Sequence, residues 1–178
     1  MTAGFVIEPL GAVQAGPQDR SAFACGTPAL DRYLREQSSQ DVKRLMASCF
    51  LVMESATRTV AGYYTLAATS VPASELPPEV IKRLPRYPVL PAALVGRLAV
   101  DQRFHRRGLA GALLADAALR VLKSDTKAFA LIVDAKDDNA VAFYRAQGFM
   151  AFASRPMTLF LPIGTLKKAA DKSGSGAI

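Results

Sequence analysis

The chain has 178 residues, 51% of them apolar and 21% charged, enough for one domain with a sizeable core. Its 22 Lys and Arg against 15 Asp and Glu give a formal charge of +7, which points to an anionic partner: a phosphate-rich cofactor, a nucleic acid or both. No stretch reaches the roughly 18 uninterrupted apolar residues of a membrane span, residues 1–20 lack a secretory leader's basic-then-apolar pattern, and Cys25, Cys49 and a single histidine make a poor metal set. The expectation is a soluble cytoplasmic protein with no metal and two free thiols, the thiols buried.

Phe5 to Pro9 is a short apolar strand. Thr27-Pro28 then supplies a helix N-cap followed by proline at the first helical position. An amphipathic helix follows to about Arg44, with Leu30, Tyr33 and Leu34 on one side and Asp31, Arg32, Arg35 and Glu36 on the other. Ser48–Glu54 and Thr59–Thr69 are rich in β-branched and aromatic residues, and the turn between them predicts an antiparallel hairpin. Pro72 to Pro91 holds six prolines and reads as an irregular excursion with one helical turn near Glu79–Leu84.

Beyond it the pattern predicts a buried strand over Ala93–Val100, a helix over Gly108–Lys123 and a second buried strand over Ala128–Ala135. A short helix over Asn139–Ala146 follows, then closing strands over Phe149–Ala153 and Met157–Pro162. The fold class is α/β (α+β), a mixed, mostly antiparallel sheet covered by helices. Residues 1–165 form the domain, and 166–178, small and polar from Ala169, a flexible tail.

Between the strand ending at Val100-Asp101 and the helix opening at Gly108 lie Arg103, His105, Arg106 and Arg107. A basic turn at a helix mouth aims unpaired backbone N–H groups and the positive end of the helix dipole at one point, which makes a phosphate seat. Gly108 and Gly111 let the main chain approach a ligand closely. A P-loop would need lysine then serine or threonine after its last glycine, and a dinucleotide fingerprint a third glycine; both are missing. Along the helix, Leu109, Leu113, Ala117 and Val121 form an apolar stripe, with Asp116 and Arg120 one turn apart on a polar side.

The segments Gly96-Arg97-Leu98-Ala99-Val100-Asp101, His105-Arg106-Arg107-Gly108-Leu109-Ala110 and Ala142-Phe143-Tyr144-Arg145-Ala146-Gln147-Gly148-Phe149 resemble the GNAT superfamily of acetyl-CoA-dependent N-acetyltransferases. In its motif, Gln/Arg-x-x-Gly-x-Gly/Ala, Gly108 and Ala110 fit and His105 stands at the Gln/Arg position. Phe23-Ala24-Cys25-Gly26, Leu30 to Leu34, Gly62 to Leu66 and the proline-rich lead into Gly96 are similar, more narrowly, to bacterial GNAT toxins of toxin-antitoxin pairs. The resemblance covers about Phe5 to Pro162 and implies a GNAT fold with splayed central strands and helices on both faces. It also implies acetylation of the α-amino group of the amino acid on charged tRNA, arrest of translation, a ribbon-helix-helix antitoxin as partner, and a homodimer.

On that resemblance, acetyl-CoA lies against the main chain of Leu98, Ala99 and Val100. Its diphosphate sits on His105, Arg106, Arg107, Gly108, Leu109, Ala110 and Gly111, with Asn139 and Phe143 as further contacts. Tyr144 takes the place of the acid that protonates the leaving thiolate: its phenol, near pKa 10, can donate to a thiolate whose conjugate acid lies near 8.5. Packing with Phe143 and Phe149 is its other reading, and a plain N-cap that of Asn139.

At pH 7 a lysine amine is free base in roughly one molecule per 2500, an α-amine in roughly one per 6 to 11. Residues 87–100 contain no Asp or Glu to serve as a strong base, which favours the α-amine, with Glu75, Glu79 or a water chain open as alternatives. For tRNA the candidate contacts are Lys43, Arg44, Lys82, Arg83, Arg86 and above all Arg97, a guanidinium in an apolar strand, whose alternative is a salt bridge. A GNAT enzyme for small amines or protein N-termini, and a noncatalytic acetyl-CoA or RNA binder, remain the other classes.

Overall fold

The apolar and β-branched runs become strands: β1 (Phe5–Pro9), β2 (Ser48–Glu54), β3 (Val60–Pro72), β4 (Val89–Val100), β5 (Ala130–Asp134), β6 (Met150–Ala151) and β7 (Thr158–Pro162). They come from a computed structural model that describes residues 4–174, the side chains of residues 169–174 excepted. The order is β1-β2-β3-β4-β5-β7-β6 in one seven-stranded sheet, mostly antiparallel, in which β4 and β5 run parallel. A mixed α/β architecture is what the sequence predicts.

The chain divides into two compact units. The first holds residues up to Ala67 with Gly96–Asp116, the second Ala68–Val95 with residues from Ala117 onward.

In the first unit the predicted helix over residues 28–44 is one rod with a change of winding. α1 (Pro28–Arg32) passes into a π-helical turn, Tyr33–Gln37, and then into α2 (Ser38–Lys43). The Ser38 amide donates to Tyr33 O, five residues back, the widened winding that often accompanies functional positions. Phe23, Tyr33, Leu34, Cys49, Leu51, Met53, Val60, Tyr63 and Ala99 form this unit's core. Asp31, read from sequence as part of the polar face, is buried and accepts from the Cys25 amide at 2.8 Å.

Both thiols are free: Cys49 is buried, which pushes it up to about 12, and Cys25 is partly buried. Gly62 in β3 lies tight against the neighbouring strand β4, since a Cβ there would stand 2.8 Å from Ala99 O.

In the second unit Val71, Leu76, Leu90, Ala92, Ala130, Ile132, Phe152 and Phe160 form the core. The proline-rich stretch is shorter than predicted, because β3 reaches Pro72 and β4 starts at Val89, with α3 (Pro78–Ile81) between them. Pro91 is tolerated in β4 because the β4–β5 register starts one residue later, at Ala92, so its missing N–H costs no ladder bond there.

α4 (Leu109–Lys123) buries the predicted Leu109, Leu113, Ala117 and Val121 stripe. α5 (Asp138–Ala146) is capped by Asp137, whose Oδ1 accepts from the Ala140 amide at 2.8 Å; Asn139, the cap in the plain reading, is an exposed residue inside the first turn. α6 (Ile163–Gly174) occupies most of the stretch read as a tail, and residues 175–178 lie outside the described residues.

Candidate active site

The parallel β4–β5 register runs from Ala92↔Ala130 to Val95↔Val133, while β4 continues as a strand to Val100. Among the described residues the pairing ends at Val95, one residue before β5 itself ends at Asp134, so the last five residues of β4 have no β5 partner.

Along β4 successive peptide groups point to opposite sides. The Asp101 amide donates to Ala61 O at 2.8 Å, and Ala99 O lies against Gly62, so residues 99 and 101 turn their main chain toward β3. Leu98 and Val100 therefore turn theirs the other way. Val100 O is already engaged, 2.7 Å from His105 Nε2; because a carbonyl only accepts, Nε2 carries the hydrogen. Of the three residues predicted to meet pantetheine, Leu98 and the Val100 amide are thus best placed to do so.

The basic turn divides its labour. Asp101 is 1% exposed and accepts from the Ala24 amide at 3.1 Å and from the Arg103 amide, Nε and Nη2, each at 2.9 Å. Burial alone would push this carboxyl up, but the Arg103 side chain and the two amides outweigh it and hold it below the usual aspartate value. Arg103 is therefore a structural cation. Phe104, buried edge-on against Phe5 with centroids 5.9 Å apart, anchors the turn from within.

That leaves Arg106 and Arg107 exposed beside the mouth of α4. Arg106 has φ +63° and Gly108 φ +75°, so the chain turns sharply just before α4 begins at Leu109. Left-handed backbone at a non-glycine residue is a local strain that the surrounding contacts must hold. A Cβ at Gly108 would meet nothing within 4 Å, so this main chain is open to a ligand, and the α4 amides with two cations fit a diphosphate. Leu109 is mostly buried and packs, while Ala110 and Gly111, partly exposed, border the mouth.

In the second unit α5 carries Asn139, Phe143 and Tyr144. The Tyr144 ring packs between Phe143, centroid 5.4 Å away, and Phe149, at 5.7 Å, so the packing reading of this residue holds as far as the ring goes. Its hydroxyl has no hydrogen-bond partner among the described residues. Burial pushes the phenol up, and the charge of Asp134 adds to the effect, so it keeps its proton at neutral pH.

Arg97, in the first unit, lies with its guanidinium 3.5 Å from the centroid of Tyr33. Tyr33 donates its hydroxyl to Asp41 Oδ2 at 2.8 Å, so the sequence's salt-bridge alternative is replaced by a cation–π contact backed by a carboxylate. Lys43 and Arg44 are exposed at the end of α2, and Arg83 and Arg86 are exposed after α3.

Sequence reasoning missed Asp101, Tyr33 and Asp41 as supporting residues. The Asp101–Arg103 spacing, an acid at the end of an apolar strand two residues before an arginine, was the available signal for the first. Among the described residues no group of three or more His, Cys, Asp or Glu could hold a metal, and no helix is long and apolar enough to cross a membrane.

Residues 91–158 match the family model described as an acetyltransferase (GNAT) domain. The chain is 35% identical over 145 residues to the tRNA-acetylating toxin of Mycobacterium tuberculosis, covering 80% of this chain and 85% of that one. It is 28% identical over 171 residues to the probable toxin TacT of Sinorhizobium fredii, covering 91% and 93%. Among solved structures it resembles AtaT complexed with acetyl-methionyl-tRNAfMet, with a TM-score of 0.85, 26% identity, and 93% and 99% of the two chains covered. With a relative this similar over four-fifths of its length, and with residues 91–158 matching the family's domain, the chain belongs to the GNAT acetyltransferase family.

Proposed function

We propose that this protein transfers the acetyl group of acetyl-CoA to the α-amino group of the amino acid on a charged tRNA and so arrests translation. In this reading it acts in the cytoplasm as a toxin, as a homodimer neutralised by a ribbon-helix-helix antitoxin. The substrate class is supported by the 35% identity to a tRNA-acetylating toxin and by the likeness to AtaT bound to acetyl-methionyl-tRNAfMet. The +7 charge suits a polyanionic partner.

Acetyl-CoA supplies a thioester whose carbonyl carbon takes up an amine as a thiolate departs. Leu98 and the Val100 amide hold its pantetheine arm through the main chain, and Arg106, Arg107 and the main-chain amides from Gly108 to Gly111 at the mouth of α4 hold its diphosphate. His105 keeps the strand end and the turn together, and Asn139 and Phe143 border the cofactor.

The single observation that carries the chemistry is Tyr144: a largely buried phenol, kept protonated by burial and by Asp134, with a hydroxyl that no other described residue engages. It hands that proton to the departing sulfur. The α-amine needs no strong base, because a substantial fraction is already free at pH 7; the proton its nitrogen sheds on forming the amide passes to water, and water returns one to Tyr144. Arg97, stacked on Tyr33, meets the phosphates of the tRNA, with Lys43, Arg44, Arg83 and Arg86 as outer contacts.

The test is a cell-free translation extract given the purified protein and acetyl-CoA, followed by nuclease digestion and mass spectrometry of the aminoacyl-adenosines. Arrest with N-acetylated aminoacyl-adenosine supports the reading. Continued translation, or acetyl groups found only on proteins or small amines, overturns it.

A further inference from the structure

Residues 81–89 form an exposed cationic segment of the second unit, and one feature of it goes beyond charge. Lys82, Arg83 and Arg86 stand within five positions with no acid among residues 81–89, and among the described residues none of the three enters an ion pair or a side-chain hydrogen bond. Set among them is Tyr87, 61% exposed, in a segment whose Ile81 and Val89 are exposed as well. An aromatic ring left that open forgoes the apolar burial it could gain.

The segment is nonetheless fixed in place. Leu84 and Val80 pack against the core that contains Val71, Leu76 and Leu90, the Arg83 amide donates to Val80 O at 3.2 Å, and the Tyr87 amide donates to Pro85 O at 2.8 Å. Pro85 and Pro88 restrict the backbone on either side. The nearest upstream acids are Glu79, exposed in α3, and Glu75, which is paired with Arg155.

We propose that Lys82–Val89 is a binding site for an unpaired nucleotide, with Tyr87 as the stacking face and Lys82, Arg83 and Arg86 as contacts to the adjoining phosphates. Rigid aromatic faces among unpaired cations are how proteins hold single-stranded nucleic acid: the charges track the backbone and the ring takes a base. A duplex presents the same phosphates but no free base face, so the exposed ring, and not the charge, selects the single strand. This rests on the reading of charged tRNA as substrate and assigns to Tyr87 one of its unpaired nucleotides.

Because the chain has no tryptophan, Tyr87→Trp creates a unique fluorophore at the site. Deacylated tRNA and a short single-stranded RNA should quench it saturably, a blunt RNA duplex of the same sequence and a polyglutamate peptide far less. Tyr87→Ala should weaken binding of deacylated tRNA roughly 5- to 150-fold, the loss of one base–aromatic stack, with Tyr87→Phe binding like the parent and all three variants melting like it. Equal quenching by duplex or by the acidic peptide, no quenching by any RNA, or unaltered binding by Tyr87→Ala would overturn the proposal. Deacylated RNA has no amine to acetylate, so this outcome is separable from that of the proposed reaction. Acetylation of charged tRNA without the quench would sink this site alone; the quench without acetylation would sink the reaction and leave the site.

Discussion

Asp101→Asn should loosen the turn on which the cofactor seat depends. The carboxylate is 1% exposed and accepts four hydrogen bonds, from the Ala24 amide and from three nitrogens of Arg103. Asparagine keeps one acceptor oxygen and turns an amide NH2 toward donors, so the bonds to Oδ2, from Ala24 and Arg103 Nη2, are lost. Each charge-assisted bond contributes about 1.5–3 kcal/mol. The Arg103 side chain is 53% exposed and recovers most of its share from water, which brings the net loss to about 2 kcal/mol.

For a chain of this size that is about 4–8 °C in melting temperature. The sign with pH follows from the depressed folded value: the carboxylate's contribution is fully present above the ordinary aspartate pKa, near 3.9, and is lost as pH falls through the lower folded value. Urea unfolding of both proteins at pH 7 and in steps toward about pH 3 should give a stability gap that is largest at neutral pH and narrows in acid. A variant that melts within a degree of the parent at pH 7, or a gap that stays constant into acid, would refute the reasoning.

Gly62→Ala places a methyl carbon 2.8 Å from Ala99 O, a main-chain atom with nowhere to retreat, and 3.0 Å from Val52 Cγ1; a loss of about 1–3 kcal/mol in urea unfolding is expected, and none would contradict the packing. Leu45→Gly should instead stabilise, by about 0.5–1 kcal/mol in the same assay. Leu45 has φ +60° and a 90% exposed side chain at the position after the α2 C-cap, where the Met46 amide donates to Asp41 O and glycine carries no steric cost. Arg97→Met should reduce the slope of log affinity for tRNA against log salt by about one contact's worth, with the affinity for CoA held; an unchanged slope would remove Arg97 from the RNA interface.

Much of the fold was legible because its strands are written as β-branched and aromatic runs and its helices as spaced apolar stripes. Leu109, Leu113, Ala117 and Val121 are buried where the periodicity put them. The extent of β4 was not legible, since prolines at 85, 88 and 91 mask a strand that begins at Val89, before its pairing with β5. Nor was the helix cap: Asp137 and Asn139 are both good cap residues, and only the backbone decides between them. At the proposed site, charge count pointed to an anion seat but not to its internal economy. Arg103 is spent on Asp101, and Arg97 finds an aromatic ring brought from 64 positions away, a partner that no local spacing can reveal. The Tyr144 motif was readable; the burial that keeps its proton in place was not.

The most direct measurement of the central claim is the rate of label transfer from acetyl-CoA to purified charged tRNA, with deacylated tRNA as control, for the parent chain and for Tyr144→Phe. Phenylalanine keeps the ring contacts with Phe143 and Phe149 and removes only the hydroxyl. The account predicts label on charged tRNA alone and a 10²- to 10⁴-fold slower transfer by the variant at unchanged affinity for CoA, roughly the range of a general acid. Transfer by the variant at the parental rate, or none to charged tRNA by the parent, would contradict it.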